Sequence, residues 1–112
     1  MGASRFTKAE SRKLRELATE AHSRALFEAL RDLDSLFSDW RHEHLDSFQL
    51  AEAIHDFHEG QARELWNLYA LSEPELSVAN ALRSGALRQA EVPAALREKL
   101  PVPPEPRRTK RK

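Results

Sequence analysis

The chain has 112 residues, 40% hydrophobic and 32% charged, with no cysteine and a formal net charge of zero. That length bounds it at one domain, and the missing thiols exclude disulfides, thiolate metal sites and cysteine nucleophiles. The neutral total hides a segregation: residues 1–15 carry five basic groups against one acid, residues 101–112 carry the same, and the stretch between is acidic by eight charges.

An acidic body between basic ends is a layout for partners rather than a statement about fold. No apolar run approaches the roughly 18 residues of a membrane span, and no signal-peptide core follows Met1. Together with the absence of cysteine, this leads us to expect a cytoplasmic protein with no membrane partner.

Residues 1–6 are expected to form a flexible N-terminus. Thr7-Lys8-Ala9-Glu10 has capping-box spacing, in which the Thr7 hydroxyl and the Glu10 side chain each accept a backbone N–H of the other. A long helix rich in Ala, Leu, Glu and Arg should follow to about Trp40, roughly 50 Å in length. Its apolar stripe does not run straight. Leu14, Leu17, Ala18, Ala21 and Ala25 centre on one direction, and Leu26, Ala29, Leu30, Leu33, Phe37 and Trp40 about 90° further round. A heptad drifts only about 20°, in the opposite sense. The two halves are therefore expected to pack on different neighbours, the second half first.

Asp46, with Gln49 three positions on, should cap a second helix, stapled by Leu45 and Leu50. Leu50, Ala53, Ile54 and Phe57 share its inner face, and Gly60 should end or hinge it. Ala62, Leu65, Trp66 and Tyr69 then read as one further apolar face, which places Trp66, with Trp40, in or near the core. Leu71-Ser72-Glu73-Pro74-Glu75-Leu76 repeats the start grammar with Ser72 as cap and Pro74 in the first turn. This helix should stop at Gly85, and Val92-Pro93 should open a last short one carrying Leu96 and Leu100. The result is an all-α fold: a small bundle of four to five helices over residues 7–100. A proline-rich spacer and a disordered basic tail follow over 101–112.

Leu71 to Ser77, with Leu82 and Gly85-Ala86-Leu87, resembles the turn and recognition helix of bacterial helix-turn-helix regulators over less than a fifth of the chain. That resemblance implies a nucleic-acid-binding regulator. Trp66 and Asn67 depart from it, standing where such motifs hold small residues. Glu73 and Glu75 depart too, offering negative charge to phosphates with only Arg83 in compensation.

Glu52-x-x-His55 and Asp39-x-x-His42 have the carboxylate–histidine spacing used in metal-binding bundles. Asp39, His42, Glu52, His55 and Glu59 are thus the candidate ligands for a divalent metal, the alternative being ordinary solvated Glu–His pairs. No other cofactor is expected. Catalysis lacks its usual marks, with no Gly-x-Ser-x-Gly, no phosphate-cradling glycine loop and no His-Glu-x-x-His. Arg107, Arg108, Lys110, Arg111 and Lys112 suit contact with a polyanion such as nucleic acid, but no aromatic residue is interleaved for base stacking. Phe27 and Phe48 lie off their helices' apolar faces. With Leu14, Leu17 and Ala21, which the first half of the long helix exposes if it projects, they are the candidate partner-binding residues; the competing arrangement has the last helix fold back through Leu96 and Leu100 to cover that stripe within one chain. The functional expectation is a non-catalytic protein–protein interaction module, a homo-oligomer, paired as a dimer through that first half, with basic termini for secondary polyanion contact. A regulator that binds nucleic acid and a metal-binding helical protein are the alternatives.

Overall fold

The computed structural model describes residues 5–101. Helix α1 runs Lys8–Arg41 and carries the expected capping box: Glu10 N donates to Thr7 Oγ1 at 3.0 Å, and Thr7 N to Glu10 Oε1 at 2.9 Å. Helix α2, Ser47–Asp56, starts in the same way on Asp46 and Gln49. Between them Glu43 takes a left-handed backbone (φ 65°), reversing the chain so that α2 folds back along α1.

Beyond α2 the helix does not break at Gly60. It continues as a π-helical stretch, Phe57–Ala62, then a single α turn, α3 (Arg63–Leu65), then a second π stretch, Trp66–Ala70. Helix α4, Pro74–Ser84, closes on Gly85 at φ 90°, and Leu87 N reaches back to Ala81 O at 3.2 Å. This is the left-handed stop that glycine takes without a Cβ penalty. A 3-10 turn (Gln89–Glu91) and α5 (Ala94–Lys99) follow. There is no strand among the described residues.

The start of α4 differs from expectation. Glu73 is the residue before the helix, and it makes no side-chain cap. The Ser72 hydroxyl instead donates to Asn67 O at 3.1 Å, satisfying the preceding π stretch. Ser77, fully buried on α4, donates to Leu68 O at 3.0 Å and does the same from within the core. A π turn shifts hydrogen bonding to i+5, so hydroxyls that catch its last carbonyls steady it.

The core lies at the N-terminal end of α1. Leu14, Leu17, Ala18 and Ala21 meet Tyr69, Val78, Ala81, Leu87, Val92 and Leu96 in one buried cluster. The two halves of α1 do take different neighbours, but in the reverse order of coverage. The first half is enclosed by α4, by Tyr69 of the second π stretch and by Leu87, Val92 and Leu96 of the C-terminal segment, while α2 lies along the second half. Arg5 and Phe6, expected to be loose, are held: Phe6 packs on the core and Lys99 Nζ donates to Arg5 O at 3.2 Å. The molecule measures 56 × 34 × 29 Å with a radius of gyration of 17.5 Å, against about 13 Å for a compact chain of this size. The excess is the distal hairpin, formed by the second half of α1 and α2.

Candidate interaction surface

Two helices can bury only the stripes they turn towards each other. In the distal hairpin those stripes supply Ala29 and Leu50, both buried. The remaining apolar residues flank that seam and stay open. On one side His22 and Leu26 of α1 face His58, Ala62, Arg63 and Trp66 across a hollow of about 470 Å³. Leu30, one turn beyond Leu26, and Ile54, one turn before His58, extend the same side by helical spacing. They are 45% and 40% exposed, and Trp66 is 54% exposed. Among the described residues, no Asp, Glu or Lys lines the hollow, and its one arginine, Arg63, is tied to Glu59 at 3.3 Å.

Trp66 and Trp40 correct the expectation that both belong to the core. A 3.6-residue period puts Trp66 with Leu65 and Tyr69. The two π stretches change the angular step, so that Tyr69 is buried and Trp66 turns out to the hollow. His22 links the two, stacked on Tyr69 at 5.6 Å and edge-on to Trp66 at 6.4 Å. Trp40 sits at the far end of the hairpin, partly exposed, with its indole N–H donating to Ser47 Oγ at 3.0 Å.

Leu14, Leu17 and Ala21 are corrected as partner-binding residues. They are buried in the core, with Val78 and Ala81 of α4 and Leu96 of α5 in the same cluster, so the stripe expected to await a second copy is covered within the chain. Phe27 and Phe48 are exposed, at 60% and 87%. Phe27 carries the Arg31 guanidinium over its ring at 5.9 Å and borders a second, more polar hollow with Gln61, Leu65 and Leu68.

The five candidate metal ligands are not gathered. Asp39 and His42 stand at the end of α1, where His42 Nδ1 lies 2.8 Å from Ser38 O. Glu52 and His55 are exposed on α2, and Glu59 pairs with Arg63. Among the described residues no three His, Asp or Glu side chains come together in a way that would hold a metal ion. The helix that a helix-turn-helix reading would lay in a groove, α4, buries Ser77, Val78, Ala79 and Ala81 in the body of the protein. Arg107, Arg108, Lys110, Arg111 and Lys112 lie outside the described residues. No described helix is long and apolar enough to cross a membrane.

Electrostatics concentrate where the core meets the hairpin. The Arg24 guanidinium makes a bidentate pair with Glu91 (2.7 and 3.0 Å), and also bonds Glu20 and the Ala86 carbonyl. The Arg24 hydrogen bonds, helped by the Arg88 N–H, hold the Glu91 carboxyl down to about 2, and Glu91 in turn raises the guanidinium's pKa. Lys99 does the same to Glu10 at the other end of the core, lowering its pKa through a 2.9 Å contact. Both are long-range struts between α1 and the C-terminal segment.

The signal that reasoning from sequence undervalued was present in the second stripe of α1. Leu26, Leu30, Leu33, Phe37 and Trp40 are larger than the residues of the first stripe, and one neighbouring helix cannot cover them all. Compared with protein-family models, curated proteins and solved structures, the chain finds no match.

Proposed function

We propose that this chain is a non-catalytic helical interaction module and that the open side of its distal hairpin is the working surface. The observation that carries this reading is the hollow between His22, Leu26, His58 and Trp66, continued by exposed Leu30 and Ile54. Lone surface apolar residues are ordinary, but a contiguous apolar strip on a chain that is 32% charged marks a place where another molecule sits. The basic ends supply a second, salt-sensitive contact to a polyanion, through the five basic groups of residues 107–112.

The test is retention. The chain, immobilised at a terminus, should hold proteins that Leu30→Glu/Ile54→Glu releases while its circular dichroism stays unchanged. Equal retention by the double variant would refute the surface. Removal of residues 102–112 should lower salt-sensitive capture of DNA or RNA and leave protein retention intact.

A further inference from the structure

Resting on the reading of the open side as an interaction surface, we infer that its occupant is a second copy of this chain. The second copy lies antiparallel across it, so that two distal hairpins form one four-helix bundle.

The first argument is extent. From His22 to Trp40 the open side of α1 runs roughly 27 Å, and the hairpin is two helices wide. That gives roughly 500 Å², at the upper end of what lone monomers expose. Two antiparallel helices with an uncovered apolar side are also half of a four-helix bundle, and the missing half has the same shape as the half present.

The second argument is self-complementarity, which a two-fold interface requires. The open side carries both a hollow and a ridge, one helical turn apart. The hollow lies at the level of His22, Leu26, His58 and Ala62. At the next turn Leu30 and Ile54 each keep nearly half of their apolar surface in solvent and supply side chains to fill such a hollow. A two-fold axis between those levels, near residue 28, seats the ridge of each copy in the hollow of the other.

Charge supplies the third argument and fixes the direction. Continued towards the N-terminus, the same side of α1 presents Lys8, Arg12 and Arg15, all exposed. The far end is acidic: residues 31–59 hold eight acids and two arginines. An antiparallel copy centred near residue 28 brings Arg12 and Arg15 beside the turn that holds Glu43 and Asp46 of the other copy. Parallel pairing stacks basic on basic and acid on acid, which like charges oppose. The chain's own C-terminal segment does not suit the hollow. Residues 102–112 contain one aliphatic side chain, Val102, and are otherwise proline, threonine and charge.

Sedimentation equilibrium of the full chain tests this at tens of micromolar in low salt. The wild type should be a dimer. Leu30→Glu or Ile54→Glu should weaken it about tenfold or more, since each places a charge at the centre of an apolar interface. Both positions are part-exposed in the single chain, so the variants should stay helical. Arg12→Glu/Arg15→Glu should weaken it severalfold, an effect that fades in high salt. The absence of cysteine allows one spin label at Lys13→Cys. Antiparallel pairing puts the two labels roughly 45 Å apart along the axis, and parallel pairing puts them side by side. A monomeric wild type, a dimer indifferent to Leu30→Glu, or a short label distance each overturns the inference. A monomer that still loses other proteins on Leu30→Glu/Ile54→Glu removes only the second copy. A monomer that retains nothing removes the interaction surface as well.

Discussion

The two halves of α1 each carry an apolar stripe and are unequally covered. The first half is poor in large residues, with Leu14, Leu17, Ala18 and Ala21 on its inner side, yet it is the better enclosed. The second half has the bulkier stripe and one layer of neighbours, leaving Leu30 and Trp40 partly in solvent. Burial here follows from how many elements return to a stretch of helix, not from how apolar the stretch is. The small residues of the first half let α4 and α5 come close, and Ala21, Val78 and Ala81 are each fully buried as a result. Stability should therefore sit in the proximal half, and the apolar surplus in the distal one.

The sharpest way to break that contrast is a matched pair of truncations. Leu14→Ala removes a fully buried side chain from the proximal core, and should cost roughly 2–5 kcal/mol. Leu30→Ala removes the same atoms from a site 45% exposed, and should cost about 1 kcal/mol in the single chain. Urea denaturation of both variants at a concentration that keeps the chain monomeric measures the difference. Equal losses would mean that the distal stripe is as well covered as the proximal one.

A middle-sized effect is expected from acid, and it belongs to the proximal half. Glu91 and Glu10 are both held below their ordinary range by cationic partners on the opposite segment. A carboxylate with a lowered folded pKa contributes stability that is complete above its unfolded value and lost as the pH falls towards the folded one. For Glu91 that window runs from 4.5 down to about 2. Glu91→Gln should be less stable than wild type at neutral pH and should lose less on acidification through that window, so the two curves converge. Arg24 keeps Glu20 and the Ala86 carbonyl in the variant, so the loss at neutral pH is partial. Parallel curves would show that the pair contributes nothing measurable.

How much of this was legible before the structure follows from the same contrast. Local signals were readable. The capping boxes at Thr7 and Asp46 and the stop at Gly85 depend on a few neighbouring residues, and each stands where the spacing put it. The shifted stripe correctly separated the two halves of α1. What the pattern did not carry was which elements return to which half, because that depends on packing between segments about 60 residues apart, such as Leu14 with Val78. Leu14, Leu17 and Ala21 therefore read as a surface either for a second copy or for the last helix of the same chain, and packing decides for the latter, with α4 beside it. Trp66 was misplaced for a different reason. Helical periodicity assumes 3.6 residues per turn throughout, and the π stretches around α3 violate it with no proline or charge pattern to mark them. The single local hint was Gly60, which reads equally well as a stop.

Gly60 offers the smallest effect and the finest test of the distal half. It lies inside the π stretch Phe57–Ala62 and not at a left-handed position, and a Cβ added there meets nothing within 4 Å. Alanine therefore fits without strain, and it restricts the unfolded chain more than glycine does. Gly60→Ala should raise stability by about 0.5–1 kcal/mol. The competing outcome is a change of register. Alanine favours the regular α-helix, which would undo the π turn and rotate Trp66 back towards the seam. That rotation is opposed from the core side, where Tyr69 is buried and stacked on His22 and where Ser77 holds the Leu68 carbonyl. Turning Trp66 inward would turn Tyr69 outward and leave the Ser77 hydroxyl without its acceptor, a loss of about 1 kcal/mol or more for the buried group alone. The packed end should win, leaving the π stretch in place. Acrylamide quenching of tryptophan fluorescence should then be the same in Gly60→Ala as in wild type, with a slightly higher thermal midpoint. Reduced quenching would show that the glycine, rather than the core, keeps Trp66 at the surface.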